Sequence, residues 1–489
     1  MLARTPSIFV LYMRIFSIAK PYYRCGLQVE AQRDGMGDRA GADSTPPGWP
    51  GQLWLEGKTM VHLLDEQSRP THMPRGPAKR TGPGFLNPAM APARTRSVML
   101  LNDALEHEWL TQADKSVRVL DALCSTGVRV RRWRNEIPSQ YQERLRITAN
   151  DLDKFALDWA QASHAAHPPK KEIHHLPEED RYGNHASQNF DNGLNFRQLD
   201  ARIAMIETGY QWIDVDPFGS PVQFLDSALQ GLSRVGVLEI TATDTAALTG
   251  SSSSSQARRY GAKGIVDVYA HDDAVRLLLA TVATAAARLD KAITPLLALF
   301  DGHHVRISCL VKTSREQASN IGENIGWRIR EDDVPYRFVQ HPTPEQVKRG
   351  SGPLWIGPLW NKEIASRMTE EKAIQLCQPD SNEVDTFIAQ GLTWDEHDVE
   401  YSTRELRRSV RYISQAADLM SREHLLLNLD SLPKWAGVGG APKIEKLISS
   451  LCDSGYSAAR IPDIEPLLAT DAPFEIVLEQ VREHASSPK

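Results

Sequence analysis

The chain has 489 residues, about three times the ~150 of a typical domain, so two domains with sizeable cores are expected. Hydrophobic residues make up 41%, charged residues 24%, and Gly and Pro number 31 and 30, a balance that excludes a collagenous, coiled-coil or wholly disordered chain. Lys and Arg total 56 against 62 Asp and Glu, a net charge of −6, which excludes a polycation that coats nucleic acid and leaves room only for a local basic groove.

Taken from the start, Ser7 to Ala19 is apolar but interrupted by Arg14 and too short to span a bilayer. Residues 1–56 are read as a flexible extension. From Val117, β-branched runs alternate with helical stretches, the pattern of a parallel sheet with crossover helices. Val117 to Ala122 is the first strand, followed by a helix from Val128 to Glu136. Leu145 to Ala149 is the second strand, and Asp153 to Ala166 its helix. The polar stretch Pro168 to Asn195 is a surface insertion. Phe196 to Leu199 and Trp212 to Val215 are strands three and four, Pro221 to Leu232 is a helix, and Val235 to Thr241 is strand five. Val275, Leu278, Leu279 and Val282 give helical spacing over Tyr269 to Asp290. Thr294 to Phe300 and His304 to Val311 form an antiparallel pair around the turn signal Asp301-Gly302. The expected fold is α/β: a Rossmann-like seven-stranded sheet with helices on both faces over residues 57–320. A smaller α+β domain at 321–489 follows, with helices such as Glu363 to Leu376.

Cys25, Cys124, Cys309, Cys377 and Cys452 are scattered, with no C-x-x-C pair and no zinc-finger spacing, so no metal is expected and a reducing, cytoplasmic setting is. His174-His175 and His303-His304 offer no ligand spacing either.

The chemistry is placed at strand ends. The first strand runs into Asp121-Ala-Leu-Cys-Ser-Thr-Gly127-Val-Arg129, a small-residue turn that lets backbone amides approach a ligand. It lacks G-x-G-x-x-G, which disfavours a pyrophosphate. Asp151 ends strand two, where a carboxylate takes ribose hydroxyls, and Asp200 ends strand three, where it could reach an adenine edge. In order along one α/β unit they suggest an adenosyl ligand without phosphates. Strand four ends in Asp214-Val-Asp216-Pro217-Phe218-Gly219. Pro217 removes a donor and Gly219 permits a tight turn, gathering a carboxylate, carbonyls and an aromatic face at one point. An exocyclic amine on a flipped base needs those groups.

Six ordered segments, PGFLNPAMAPARTRSV (83–98), DALCSTGVR (121–129), IDVDPFGSPVQFLD (213–226), EITATDTAALTG (239–250), DGHHVRISCLV (301–311) and SGPLWIGPLWNKEI (351–364), together resemble the tRNA guanine-N2 dimethyltransferases that modify nucleotide 26. The resemblance implies a class I S-adenosylmethionine-dependent methyltransferase domain, with S-adenosyl-L-methionine as cofactor, and a tRNA-binding C-terminal domain. It implies cofactor contacts at Arg94, Arg129, Asp151, Asp200 and Ala201, with Asp121 in the same turn, and a catalytic amine-binding turn at Asp216, Pro217 and Phe218. The zinc-binding cysteines of archaeal relatives are absent between 312 and 350, so no metal carries over.

Arg258 and Arg259, at the end of a Ser251–Tyr260 loop expected to form a lid, and Arg404, Arg407 and Arg411, at helical spacing, are the expected RNA contacts. The arginines at 129, 131, 132 and 134 otherwise read as a solvated helix face. The partner expected is tRNA, with no membrane and no obligate protein partner. Two alternatives stand beside this reading: an N-methyltransferase acting on DNA or protein, and a catalytically silent tRNA-binding protein.

Overall fold

The computed structural model describes residues 46–63, 86–169, 173, 175, 190, 192–463 and 465–485. The chain from Thr45 onward forms one compact unit. It opens with a hairpin of β1 (Gln52–Glu56) and β2 (Thr59–Leu63). The extension expected over 1–56 therefore gives up its last residues to folded structure, because Leu55 and Glu56 are buried against the rest of the unit; residues 1–45 lie outside the described residues. Helix α1 (Ala91–Glu106) follows, buried along almost its whole length from Ala93 to Leu105, which makes it a core helix rather than a surface one.

The main sheet contains β3 (Val117–Asp121), β4 (Leu145–Asn150), β5 (Leu194–Arg197), β6 (Tyr210–Val215), β7 (Leu232–Ala242), β8 (Lys291–Phe300) and β9 (Val305–Thr313). Its spatial order is β5-β4-β3-β6-β7-β9-β8. The first five strands are parallel, and β9 runs antiparallel between β7 and β8. Strand β4 is buried at all six positions, as a parallel strand covered on both faces must be. The order reverses at β3, where crossovers leave on opposite sides toward β4 and β6, and that reversal opens a crevice at the carboxyl ends of these two strands. Helix α2 (Val128–Glu136) leaves β3 at Gly127, whose φ of +68° suits glycine. A Cβ there would stand 2.9 Å from Cβ of Ala160, on the helix after β4.

Strand β5 lies two residues earlier than expected, its register set by pairing with β4, Ile147 opposite Leu194 and Ala149 opposite Phe196. Most of the expected 168–195 insertion lies outside the described residues. The run Glu363 to Leu376 is two helices, Lys362–Ser366 and Glu370–Cys377, because the Thr369 side chain accepts from the Lys372 amide and starts a second helix. Two three-stranded sheets complete the unit, one centred on Ile325–Ile329 and one on Leu467–Thr470.

Among the described residues one hydrophobic cluster runs across position 320. Leu354, Trp355, Trp360 and Met368 share one hydrophobic cluster with Leu296, Ala298 and the α1 core. Trp360 Nε1 donates to the Ala298 carbonyl at 2.9 Å, and Asn361 N donates to that of Leu296 at 3.0 Å. Among the described residues no helix is long and apolar enough to cross a membrane.

Candidate active site

At the reversal point lies a cavity of about 580 Å³, lined by the turn after β3, the end of β4, the turn after β6 and the segment entering α1. Asn150, fully buried, ties two of these loops together: its Nδ2 donates to the carbonyls of Ala122 and Leu199, both at 3.0 Å. The next residue, Asp151, lines the cavity and accepts from Ser125 N and Asp153 N, each at 2.9 Å. Each of its oxygens keeps a lone pair for a ligand hydroxyl. Burial raises its pKa.

Asp216, Pro217 and Phe218 line the opposite wall. Gly219, at φ +82°, closes the turn, which is clasped to the end of β7: Gly219 N donates to Thr243 Oγ1 at 2.6 Å, and Thr243 N to the Gly219 carbonyl at 2.9 Å. So held, Phe218 stays 56% exposed at the rim.

Between the two walls stands the Arg129 guanidinium. Its Nη2 donates to Asp216 Oδ2 at 2.5 Å, and its Nε lies 3.4 Å from Asp214 and 3.9 Å from Asp121. Behind it, Arg306 Nη2 meets Asp214 and lies 3.0 Å from Glu239. Ser308 and Ser97 donate to Glu239. Four carboxylates thus share two guanidinium groups, so the site carries excess negative charge if all are ionised. The consequences differ along the row. Burial and the neighbouring Asp214 push Asp121 up to about 8, and burial pushes Asp214 up to about 6. For Asp216 burial acts upward too, but Arg129 and Arg306 more than reverse it, and its pKa is lowered. Asp216 is therefore the aspartate of the row that holds its charge most firmly, as Glu239 does behind it.

The remaining expected residues separate into groups. Arg94 lines the cavity, yet it is buried and forked onto Glu56 of the hairpin, at 2.6 and 2.5 Å. Asp200 and Ala201 are not among the lining residues. The Asp200 carboxylate caps the helix Ala201–Ile206 and pairs with Arg202, whose hydrogen bond takes its pKa down to about 2. Residues 253–260 are a helix rather than a flexible lid, and Tyr260 fixes it beside the turn after β6 through Ser220 at 3.0 Å and to Asp244 at 2.7 Å. Arg258 and Arg259 on that helix are exposed, the latter paired with Asp244 at 2.8 Å. Arg404, Arg407, Arg408 and Arg411 are exposed around one groove, Arg411 lying just past the helix Glu396–Val410.

Glu239, Arg306 and Glu56 are residues at or behind the site that sequence reasoning passed over; Asp214, quoted in its turn, and the rim residue His303, weighed only for a metal, had been given no role there. The first two carried a signal: a lone charge inside an apolar strand run, VLEITA and VRISCLV, needs a buried partner.

A family model described as N2,N2-dimethylguanosine tRNA methyltransferase matches residues 65–482. Similar curated proteins include the tRNA (guanine(26)-N(2))-dimethyltransferase of Pyrococcus abyssi, 28% identical over 429 residues, covering 85% of this chain and 97% of the relative. The enzyme of the same name from Pyrococcus furiosus is 27% identical over 84% of this chain and 96% of its own. Among solved structures, Trm1 from Pyrococcus horikoshii in complex with S-adenosyl-L-methionine superposes with a TM-score of 0.62 at 23% identity, covering 88% of this chain and 99% of that one. The shared fold is of the class I methyltransferase kind.

Proposed function

From its place in the N2,N2-dimethylguanosine tRNA methyltransferase family, to which this chain belongs, we propose that it transfers methyl groups from S-adenosylmethionine to the N2 amine of a guanine in tRNA. Nucleotide 26, named for its relatives, is the position proposed here. The observation that carries the reading is the Asp216-Pro217-Phe218 turn, an ionised carboxylate and an exposed ring facing Asp151 across one cavity.

The donor set fits the cofactor. S-adenosylmethionine, when bound, supplies an electrophilic methyl on a positively charged sulfonium, and a cavity backed by four carboxylates and two guanidinium groups suits that charge. Asp151 is placed to take the ribose hydroxyls. Asp121 and Arg129 border the same space. Arg94 would reach it only by sharing its guanidinium with Glu56, and Asp200 and Ala201 would contribute from behind the β5 turn.

The guanine amine is a weak nucleophile because its lone pair is delocalised into the ring, so orientation matters more than a strong base. Phe218 stacks on the flipped base. Asp216 accepts one amine N–H and the Pro217 carbonyl the other, and the Asp216 charge stabilises the positive charge that develops on nitrogen. Its lowered pKa suits that duty rather than general-base work, and the acidic proton left after transfer goes to Asp216 or to water. The exposed arginines Arg258, Arg259, Arg404, Arg407 and Arg411 are proposed to hold RNA phosphates, which a protein of net charge −6 can do only through such local patches.

The test is nucleoside mass spectrometry of tRNA incubated with the protein and methyl-labelled cofactor. Labelled N2-methylated or N2,N2-dimethylated guanosine is expected, and its absence with label elsewhere would overturn the reading. Asp151→Ala is expected to weaken S-adenosylmethionine by about 10- to 100-fold, the loss of a charge-assisted hydroxyl contact, read by isothermal titration; an unchanged dissociation constant would remove Asp151 from the pocket. The same titration should be pH-dependent. Below about pH 8 the free protein keeps a proton on Asp121, whereas a cationic ligand favours the carboxylate, so binding expels that proton. Affinity should rise with pH, at most tenfold per unit, and level off above about 8. A constant affinity between pH 6 and 8 would contradict this.

A further inference from the structure

All four arginines of α2 are buried, against the expectation of a solvated face. Arg129 and Arg132 are paired with carboxylates, Arg132 with Glu136 at 2.7 Å and Glu56 at 3.0 Å. Arg131 is not. It is 1% exposed, and its Nη1 donates to the Met60 carbonyl at 2.6 Å. Its Nε and Nη2 have no partner, and no carboxylate among the described residues pairs with it. A desolvated guanidinium without a counter-charge is costly, and burial alone takes its pKa down to about 9.

Arg131 lines a cavity of about 260 Å³ between the hairpin, α2 and the helix Ser381–Ala389. Lys58, Arg134, Asn135 and His167 line it too, and Glu383, 3.9 Å from Lys58, brings one opposing charge. Among the described residues, Lys58 and the unpaired Arg131 against Glu383 leave an excess positive charge around a space larger than a tetrahedral oxyanion. None of these residues lines the cofactor cavity.

We propose that this cavity binds a small oxyanion of the phosphate class, with Lys58 at the ligand and Arg131 supplying the uncompensated charge behind it; His167, its two nitrogens bonded to His62 and Gln390, only walls the space. Guanidinium and ammonium groups together suit such an anion. Once bound, it would fasten the hairpin, α2 and the 381–389 helix, which are far apart in sequence. The ligand is either free phosphate or a phosphate of bound RNA; only the second source rests on the methyltransferase reading.

Thermal unfolding of the full-length protein, in inorganic phosphate against chloride at matched ionic strength, provides the test. Phosphate at about a hundredfold above its dissociation constant should raise Tm by about 2–5 °C. Arg131→Met should lose that rise and, freed of an unpaired cation, melt no lower than wild type in chloride. Lys58→Ala, a change at a half-buried side chain, should weaken the rise. A phosphate effect no greater than that of chloride, its survival in both variants, or an Arg131→Met protein that melts far below wild type in chloride would overturn the proposal. The source is read by tRNA titration. Competition by phosphate and weaker tRNA binding by Arg131→Met assign the RNA phosphate, whereas equal tRNA affinity in wild type and variant assigns the free anion. Wild-type methylation of tRNA, measured separately, keeps a failure here distinct from a failure of the functional reading.

Discussion

Replacing Asp216 by asparagine is expected to slow methyl transfer by about 10²-fold or more while leaving S-adenosylmethionine affinity within a few-fold. The amide keeps the shape and one acceptor oxygen but not the charge, and the charge is what meets the cation forming on the amine. Loss of fold is not the expected reason for the defect. Arg129, deprived of its 2.5 Å partner, still has Asp214 at 3.4 Å and Asp121 at 3.9 Å. The turn is held independently by the Gly219 and Thr243 bonds. Single-turnover rates with saturating cofactor, beside titration of the cofactor alone, separate the two effects. A near-normal single-turnover rate would remove Asp216 from the chemistry. A lost cofactor affinity would instead place its charge on the sulfonium side.

What the sequence shows and what it hides divide along contact distance. Helix α2 was legible to the residue because Gly127 and the apolar spacing after it are local signals. Five strands were legible because each buried parallel strand is a short apolar run, and the last two because the turn signal Asp301-Gly302 separates two such runs into an antiparallel pair. The break at Thr369 was readable in principle, as a capping threonine ahead of two glutamates. The α2 arginines were not. The Arg132–Glu136 pair is four residues apart within α2, but that it is buried rather than solvated depends on Glu56, 76 residues earlier, and no periodicity within α2 encodes that burial. Arg94 shows the same limit. Its motif marks it as important, but the fork onto Glu56 appears only when the hairpin is seen folded across the start of α1. Asp121, Asp214 and Asp216 were visible as residues, whereas their division into protonated and ionised members depends on how two guanidinium groups are shared among four acids.

That sharing makes Arg306 the residue whose loss should cost the most stability. It is 5% exposed, meets Asp214 and Glu239 through Nη2, and donates through Nη1 to Thr241 Oγ1 at 2.7 Å. Burial raises the pKa of Glu239, and Arg306, with Arg129, more than reverses it. Arg306→Met fills the same space with apolar atoms but leaves two buried carboxylates with only Arg129 nearby. Breaking a buried pair in this way costs about 3–5 kcal/mol. The sign of the pH effect follows. In the variant both acids have folded-state pKa values above their unfolded ones, so the folded state holds protons that the unfolded state has released. The deficit is then largest at high pH and shrinks as pH falls toward the unfolded pKa near 4. Urea unfolding of wild type and variant at pH 8 and pH 5 should show the larger loss at pH 8. A loss that is equal at both, or below about 1 kcal/mol at pH 8, would mean that Arg129 alone can neutralise the row and that the second guanidinium is not what keeps it charged.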